Sequence, residues 1–286
     1  MKAMDESINN CVKKISLCIS SECFLKCIGC YNEFCAFPDI SKEQISKFIK
    51  YAKEKGLQKV TLSGGDPLCR KDIEDIIYGC LDLDLKVNLD TVGLSFINSC
   101  KVSDSNELIN QFENYDLLKK INFLGIPLDG SSEEIVKKFR NFNDNLFNKT
   151  LQILDLMEHK DINVCINTVF HRKNQYDMIN IYNIIKKYKC VKRWQIFQYT
   201  PIGTFGKINE NLFKVDEHNF IKIKNEIEKI NDESIFIEFK TAKEKTNTHM
   251  IVNSNGKAYK VDINNEIKIF GHLNNSETWK NIIDNL

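Results

Sequence analysis

From Lys14 to about residue 200, short β-branched or apolar runs alternate with stretches in which apolar residues recur every three or four positions. A period of two marks strands and a period near 3.6 marks helices, so the alternation predicts βα units around a parallel sheet. Strands are expected at Lys14–Ser20, Lys59–Leu62, Lys86–Leu89, Ile121–Pro127, Asn163–Phe170 and Trp194–Gln198. Helices are expected over 41–56, with Ser41 as N-cap and Gly56 as the stop, and near 105–119, 147–160 and 176–188. After Pro201 the pattern changes to a helix near 216–230, strands at Ser234–Phe239, Met250–Val252, Ala258–Val261 and Ile267–Phe270, and a closing helix near 276–285. Asn255-Gly256 signals a hairpin turn between two of those strands. The expected organisation is therefore a core over 1–200 and an α+β extension over 201–286.

Composition narrows the function classes. With 286 residues and 42% hydrophobic content the chain builds a large core, and its 40 basic and 39 acidic side chains nearly balance. No block of like charge is long enough to bind a nucleic acid polymer, and no stretch approaches the ~20 apolar residues that span a bilayer. The N-terminal segment lacks the apolar core of a signal peptide, so the expected location is the cytoplasm.

The cysteines change the picture most. Of eleven, six lie between Cys11 and Cys35. In a mid-sized chain without a signal peptide, metal binding or reactivity is expected ahead of disulfides. Cys23, Cys27 and Cys30 form C-x-x-x-C-x-x-C in the loop after the first strand. Three thiolates suit three irons of a cubane and leave the fourth iron open to a small molecule; a zinc site completed by Cys18 or Cys35 is the structural alternative. The other cysteines, Cys69, Cys80, Cys100, Cys165 and Cys190, lack partners at metal-ligand spacing and read as packing residues.

The triplet, followed by Ser63-Gly64-Gly65-Asp66-Pro67 after the second strand, resembles the radical S-adenosylmethionine (SAM) superfamily over roughly residues 14–200. The resemblance implies a partial (β/α)6 TIM-like barrel and a [4Fe–4S] cluster on Cys23, Cys27 and Cys30. It further implies SAM on the open iron, cleaved reductively to a 5′-deoxyadenosyl radical that removes a hydrogen atom from the substrate. A flavodoxin or ferredoxin-type donor would supply the electron. In such enzymes the segment matching Gly64-Gly65-Asp66-Pro67 meets the methionyl amine of SAM at the C-terminal ends of the strands, where barrel enzymes hold their chemistry. One departure stands out: the residue before the third cysteine is usually aromatic, whereas here it is Gly29. With Tyr31 following, this is similar to activating enzymes of anaerobic ribonucleotide reductase.

Other strand ends offer further SAM contacts under the resemblance: Thr91 or Asp90 after the third strand, Asp129 with Ser131 after the fourth, Asn167 on the fifth, Arg140 toward the SAM carboxylate, and Phe197 in the adenine pocket. The plain readings are a turn at Thr91, helix capping at Asp129 or Ser131, and a solvated arginine at Arg140. His171 is the one histidine expected near the active site.

For the substrate, the stretches 165–174 and 193–198 look like viperin, which dehydrates a nucleoside triphosphate. Lys59 and Arg193 match its triphosphate-binding cations, but Cys165 and Gln195 replace lysines. The tail from Met250 to Trp279 is similar to the extension of peptide-modifying radical SAM maturases, without the cysteines of their auxiliary clusters. The expected substrate is a peptide or small metabolite, with a viperin-like dehydratase, a glycyl-radical enzyme activase and a zinc-binding interaction module as alternatives.

Overall fold

The structure, a computed structural model, describes residues 12–32 and 38–286, so Cys35 lies outside the described residues. In chain order the strands are β1 (Lys14–Ser20), β2 (Lys59–Gly64), β3 (Lys86–Asp90), β4 (Cys100–Lys101), β5 (Leu108–Ile109), β6 (Phe123–Pro127), β7 (Val164–Phe170), β8 (Val191–Gln198), β9 (Phe236–Lys240), β10 (Ile251–Val252), β11 (Lys257–Val261) and β12 (Ile267–His272). The helices are α1 (Lys42–Glu54), α2 (Ile73–Leu81), α3 (Tyr115–Leu118), α4 (Glu133–Val136), α5 (Leu146–Lys160), α6 (Met178–Ile185), α7 (Gly203–Ile208), α8 (Glu210–Phe213), α9 (Glu217–Ile230), α10 (Ala242–Lys245) and α11 (Trp279–Asp284).

The main sheet runs β12-β11-β10-β1-β2-β3-β6-β7-β8-β9. From β10 to β9 every pairing is parallel, and β11 and β12 add an antiparallel margin. β9 and β10 are not paired with each other, so the sheet is a partial barrel rather than a closed one. The strands expected at Ser234–Phe239 and Met250–Val252 form as β9 and β10 and flank the six core strands in the parallel part of the sheet.

Alternation along each strand sorts side chains by face. Ile15, Leu17, Val60, Leu62, Val87, Leu89, Ile166 and Trp194 are buried on the convex side. Helices cover that side: Trp194 stacks on Tyr182 of α6 with ring centroids 6.3 Å apart, and Phe170 meets Phe220 of α9 at 5.2 Å. Each such aliphatic side chain contributes about 1.5–3 kcal/mol of burial. The opposite side is polar, with Lys14, Ser16 and Cys18 on β1, Lys59, Thr61 and Ser63 on β2, Asn88 and Asp90 on β3, and Arg193 and Gln195 on β8. Curvature brings distant strands together there, since Lys59 on β2 feels the charges of Arg193 on β8 and Lys240 on β9.

The local signals largely hold. Ser41 caps α1 in a capping box with Gln44, and Ile45, Phe48, Ile49 and Ala52 form its buried stripe. Gly256, with φ +93°, turns the hairpin between β10 and β11. The expected helix near 105–119 is not formed. Leu108–Ile109 instead pairs with Cys100–Lys101, and only Tyr115–Leu118 is helical, capped by Asn114. Phe112 packs edge-on against Phe96 at 5.6 Å, a tertiary contact that overrides the helix-like spacing.

The Trp194 indole donates to Thr168 Oγ at 2.8 Å in the core. Trp194→Phe is expected to lower stability by about 1–2 kcal/mol and Trp194→Ala by about 3–5 kcal/mol, read from urea unfolding under anaerobic conditions. Equal losses for the two variants would show that packing contributes nothing beyond the hydrogen bond.

Candidate active site at the strand tips

The cysteine loop leaves β1 at its C-terminal end and is fastened on three sides. Gly65 N–H donates to Ser20 O and Asp66 N–H to Glu22 O, both at 2.6 Å, which locks the tip of β2 under the loop. Lys26 N–H donates to Asn141 O and Ile28 N–H to Phe139 O, which zips the loop to the segment after α4. From the third side, Gly206 N–H of α7 donates to Cys30 O, and the Asn209 amide to Ile28 O.

Within this frame Cys23 and Cys27 are buried and Cys30 is half-buried. The three thiols are electrostatic neighbours: burial, then the charges of Asp66 and Cys27, raises the pKa of Cys23, and burial, then Cys27, raises that of Cys30 to about 12. Buried thiols held together in this way favour deprotonation only when a metal takes up the charge. Arg140 supplies a partial answer, donating through Nη1 to Cys27 Sγ at 3.7 Å and lowering the cost of that thiolate. The donor set suits a cluster bound by three thiolates. Cys18, the zinc alternative's fourth ligand, instead meets Ser63 Oγ at 3.7 Å. Among the described residues, no three His, Cys, Asp or Glu side chains form a group able to hold a single metal ion.

The structure places the remaining candidates as follows. Asp66 is fully buried with its carboxylate turned inward, accepting from Leu68 N–H at 2.9 Å, Thr91 Oγ–H at 2.7 Å and Val92 N–H at 2.7 Å. Burial pushes its carboxyl up to about 6 against these hydrogen bonds. Asp66 therefore ties the tip of β2 to that of β3, Thr91 is part of this tie, and Pro67 opens the one-turn helix that Asp66 caps. Asp129 is neither a helix cap nor solvated: it accepts from Arg140 Nε and from Val169 N–H. Arg140 is correspondingly not a surface residue, and Asp129 and Cys27 hold its pKa above the ordinary value although burial opposes this. Ser131 binds the carboxylate of Asp177 instead of capping.

Gly29 has no room for the usual aromatic, because a Cβ there would lie 2.3 Å from the Phe139 ring. Phe139 occupies that space from a different part of the chain. It stacks at 4.9 Å on His171, which is fully buried, so His171 is not at the mouth. Asn167 and Asp90 meet on the polar face, Asn167 Nδ2 donating to Asp90 Oδ1 at 3.1 Å across Gly125 of β6. A Cβ on Gly125 would stand 2.0 Å from Asp90 Oδ1, so glycine is what lets this bond form. Phe197 also lies on the polar face, with Lys240 4.9 Å and Lys245 5.9 Å from its ring centroid. Lys240 and Lys245 belong to no motif; the alternation of Arg193 and Gln195 with Trp194 and Ile196 is the signal in the sequence that this face of the strand is not core.

The profile described as the Radical SAM superfamily matches residues 17–185, more than half of the chain. A probable GTP 3′,8-cyclase of Methanocaldococcus jannaschii is 26% identical over 146 residues, 49% of this chain and 44% of that protein. The chain thus spans less than half of that relative. Among solved structures, Streptococcus suis SuiB bound to S-adenosylmethionine superposes with TM-score 0.65 at 14% identity, over 93% of this chain and 64% of that one. Native anSMEcpe with bound AdoMet and Cp18Cys peptide gives TM-score 0.66 at 17% identity, over 95% and 80%. At these identities the likeness is one of fold.

Two measurements test the site. Burial lowers His171 to about 4 from an ordinary 6.5, so the unfolded chain binds the extra proton between those values. Stability is then complete above pH 6.5 and falls as pH drops toward 4, by up to about 3 kcal/mol. His171→Phe, which keeps the stack, is expected to flatten the decline in urea midpoint between pH 7 and pH 5; an unchanged decline would clear His171 of responsibility. Arg140→Met leaves the Asp129 carboxylate buried and unpaired, and a loss of about 3–5 kcal/mol in the same assay is expected.

Proposed function

From the premise that the chain belongs to the radical SAM superfamily, and is thus an enzyme using a [4Fe–4S] cluster and SAM, we propose that Cys23, Cys27 and Cys30 hold the cluster and that the substrate is a peptide or small metabolite seated against the polar concave face. Held by Cys23, Cys27 and Cys30, the cluster would supply one-electron reduction of SAM and with it radical hydrogen abstraction from the substrate. The protein's part is placement. Arg140, fixed by Asp129, stands beside Cys27 and offsets the negative charge of the thiolate. The backbone at Gly64-Gly65 offers itself to the SAM amine, while Asp66, Pro67 and Thr91 hold that segment rigid. Asp90 and Asn167 present a carboxylate and an amide toward the ribose or methionyl end, and Phe197 an aromatic face toward the adenine.

The observation that carries the reading is the joint fastening of the C-x-x-x-C-x-x-C loop and the Gly-Gly-Asp-Pro tip by two short backbone hydrogen bonds. The segment after residue 200 belongs to the same device, because α7 and Asn209 close over the cysteine loop. We take residues 1–200 as the catalytic core and 201–286 as an extension that covers the mouth. Among the described residues no helix is long and apolar enough to cross a membrane. A cytoplasmic enzyme fed by a flavodoxin or ferredoxin-type donor fits this picture.

Anaerobic reconstitution with iron and sulfide is expected to give four irons per chain, absorbance at ~400 nm, and 5′-deoxyadenosine on adding dithionite and SAM. Cys23→Ala, Cys27→Ala or Cys30→Ala should abolish the cluster and 5′-deoxyadenosine together. A variant retaining both would sink the assignment, and stoichiometric zinc without SAM cleavage would return the chain to the binding-module reading.

A further inference from the structure

One amine near the strand tips has a setting that the placement of cluster and SAM leaves unused. Lys245 ends the one-turn helix α10, and that helix is fixed to the tip of β8. Ala242 N–H donates to Gln198 Oε1 at 2.8 Å, while Gln198 Nε2 donates to Val215 O at 3.2 Å. From this anchored helix Lys245 reaches back over the strand tip and donates through Nζ to Gln198 O at 2.7 Å, with Nζ 5.9 Å from the centroid of the Phe197 ring. The residue is half-buried, held in place without being sealed off.

Among the described residues, no carboxylate pairs with this amine. Glu244, its neighbour in sequence, is taken up by the capping box of α10, accepting from Thr241 N–H and Thr241 Oγ–H, both at 2.9 Å. Glu238 accepts from Gln195 at 2.7 Å and lies 3.6 Å from Lys240, and Asp90 accepts from Asn167 at 3.1 Å. The titratable groups that face Lys245 are Lys240 on β9 and His249 ahead of β10, and His249 is kept neutral by burial and the surrounding lysines. β8 contributes an aromatic ring and a carbonyl, neither of them charged. Burial, then Lys240, accordingly lowers the Lys245 ammonium from 10.5 to about 7. A lysine that binds anions gains by keeping its charge. A desolvated lysine beside a second cation is instead a neutral amine with a free lone pair, the activated nucleophile of covalent catalysis.

We propose that Lys245 is the covalent anchor of a small carbonyl substrate bearing a carboxylate, bound as an iminium while Lys240 meets the carboxylate. Nζ attacks the carbonyl carbon, and a C=N bond replaces the C=O bond. The carbonyl oxygen leaves as water with both amine hydrogens, and the imine nitrogen takes up one proton from solvent. No oxidant or reductant is consumed in this step. The positive nitrogen then weakens the C–H bonds of the adjacent carbon, because an unpaired electron formed there is shared with the C=N bond. The acid group follows from charge: an iminium beside the Lys240 ammonium brings two cations together, and a carboxylate offsets them. This rests on the reading above, in which the Phe197 ring beside Lys245 faces the adenine of SAM, and it narrows the small-metabolite substrate to one class.

The test is reductive trapping on the anaerobically purified protein with its cluster in place. Glyoxylate and sodium cyanoborohydride are added at pH 7, and peptide mass spectrometry locates the carboxymethyl groups left on lysine. Lys245 is expected to be modified at least about tenfold faster than the exposed Lys187, because an ordinary lysine, at about 10.4, is almost wholly charged at that pH. Labelling of Lys245 should fall as pH drops below 7, and Lys240→Gln should move that midpoint upward by removing one cause of the lowering. The preference over Lys187 should be smaller with acetaldehyde, which has no carboxylate, and should vanish in urea. Labelling of Lys245 no faster than Lys187, a preference that survives in urea, or one equally strong with acetaldehyde would overturn the proposal. 5′-Deoxyadenosine formation in a parallel sample given dithionite and SAM separates the two readings. SAM cleavage without selective trapping removes the carbonyl anchor alone, whereas selective trapping without cleavage removes the SAM-cleaving activity alone.

Discussion

A parallel sheet that curls must treat its two sides differently, and everything else in this molecule follows from that constraint. The convex side is wrapped by helices, so its strand positions are Ile, Leu, Val and Trp. The concave side lines the interior of the curl instead of packing on helices, so its alternate positions are Lys, Asn, Asp, Arg and Gln that interact with one another across it. One residue of register slip would exchange the two sets, burying charge against helices and exposing the core. The fold and the chemistry are thus specified by the same alternation.

The strand tips convert this sheet into a site by hydrogen bonds that are internal to the protein. Asp66 is instructive, because a motif residue that invites a ligand-binding role has its carboxylate consumed by Leu68, Thr91 and Val92. What it offers a cofactor is rigidity of the backbone beside it. Asp129 plays the corresponding part for Arg140, fixing a guanidinium against Cys27. Buried carboxylates at this site are either hydrogen-bonded, as Asp66 is, or ion-paired, as Asp129 is, as the cost of desolvating them demands.

Much of this was legible in the sequence. β1 and α1 announce themselves by alternation and by the Ser41-x-x-Gln44 cap, and the cysteine triplet by its spacing. The ribbon of β4 and β5 was not legible, since Leu108, Ile109 and Phe112 are spaced like a helical stripe and only the contact of Phe112 with Phe96 decides otherwise. Phe139 beneath Gly29 was equally hidden, because a space vacated at one position is filled from 110 residues further along the chain. Lys14 and Lys240 lie more than two hundred residues apart in the chain, and only the curl of the sheet makes them neighbours.

The pairing of β1 with β10 carries one more implication. Ser16 lies beside Ile251, so the strand that launches the cysteine loop gains its second neighbour only after more than two hundred further residues have been made. Contacts of such long sequence separation form late, after the loop-closure entropy has been met. Until β10 has been made, β1 therefore keeps one unpaired edge, and the loop that leaves it stays reachable from solvent. The thiols are thus enclosed in two stages, by the pairing of β10 with β1 and by α7 settling over the loop.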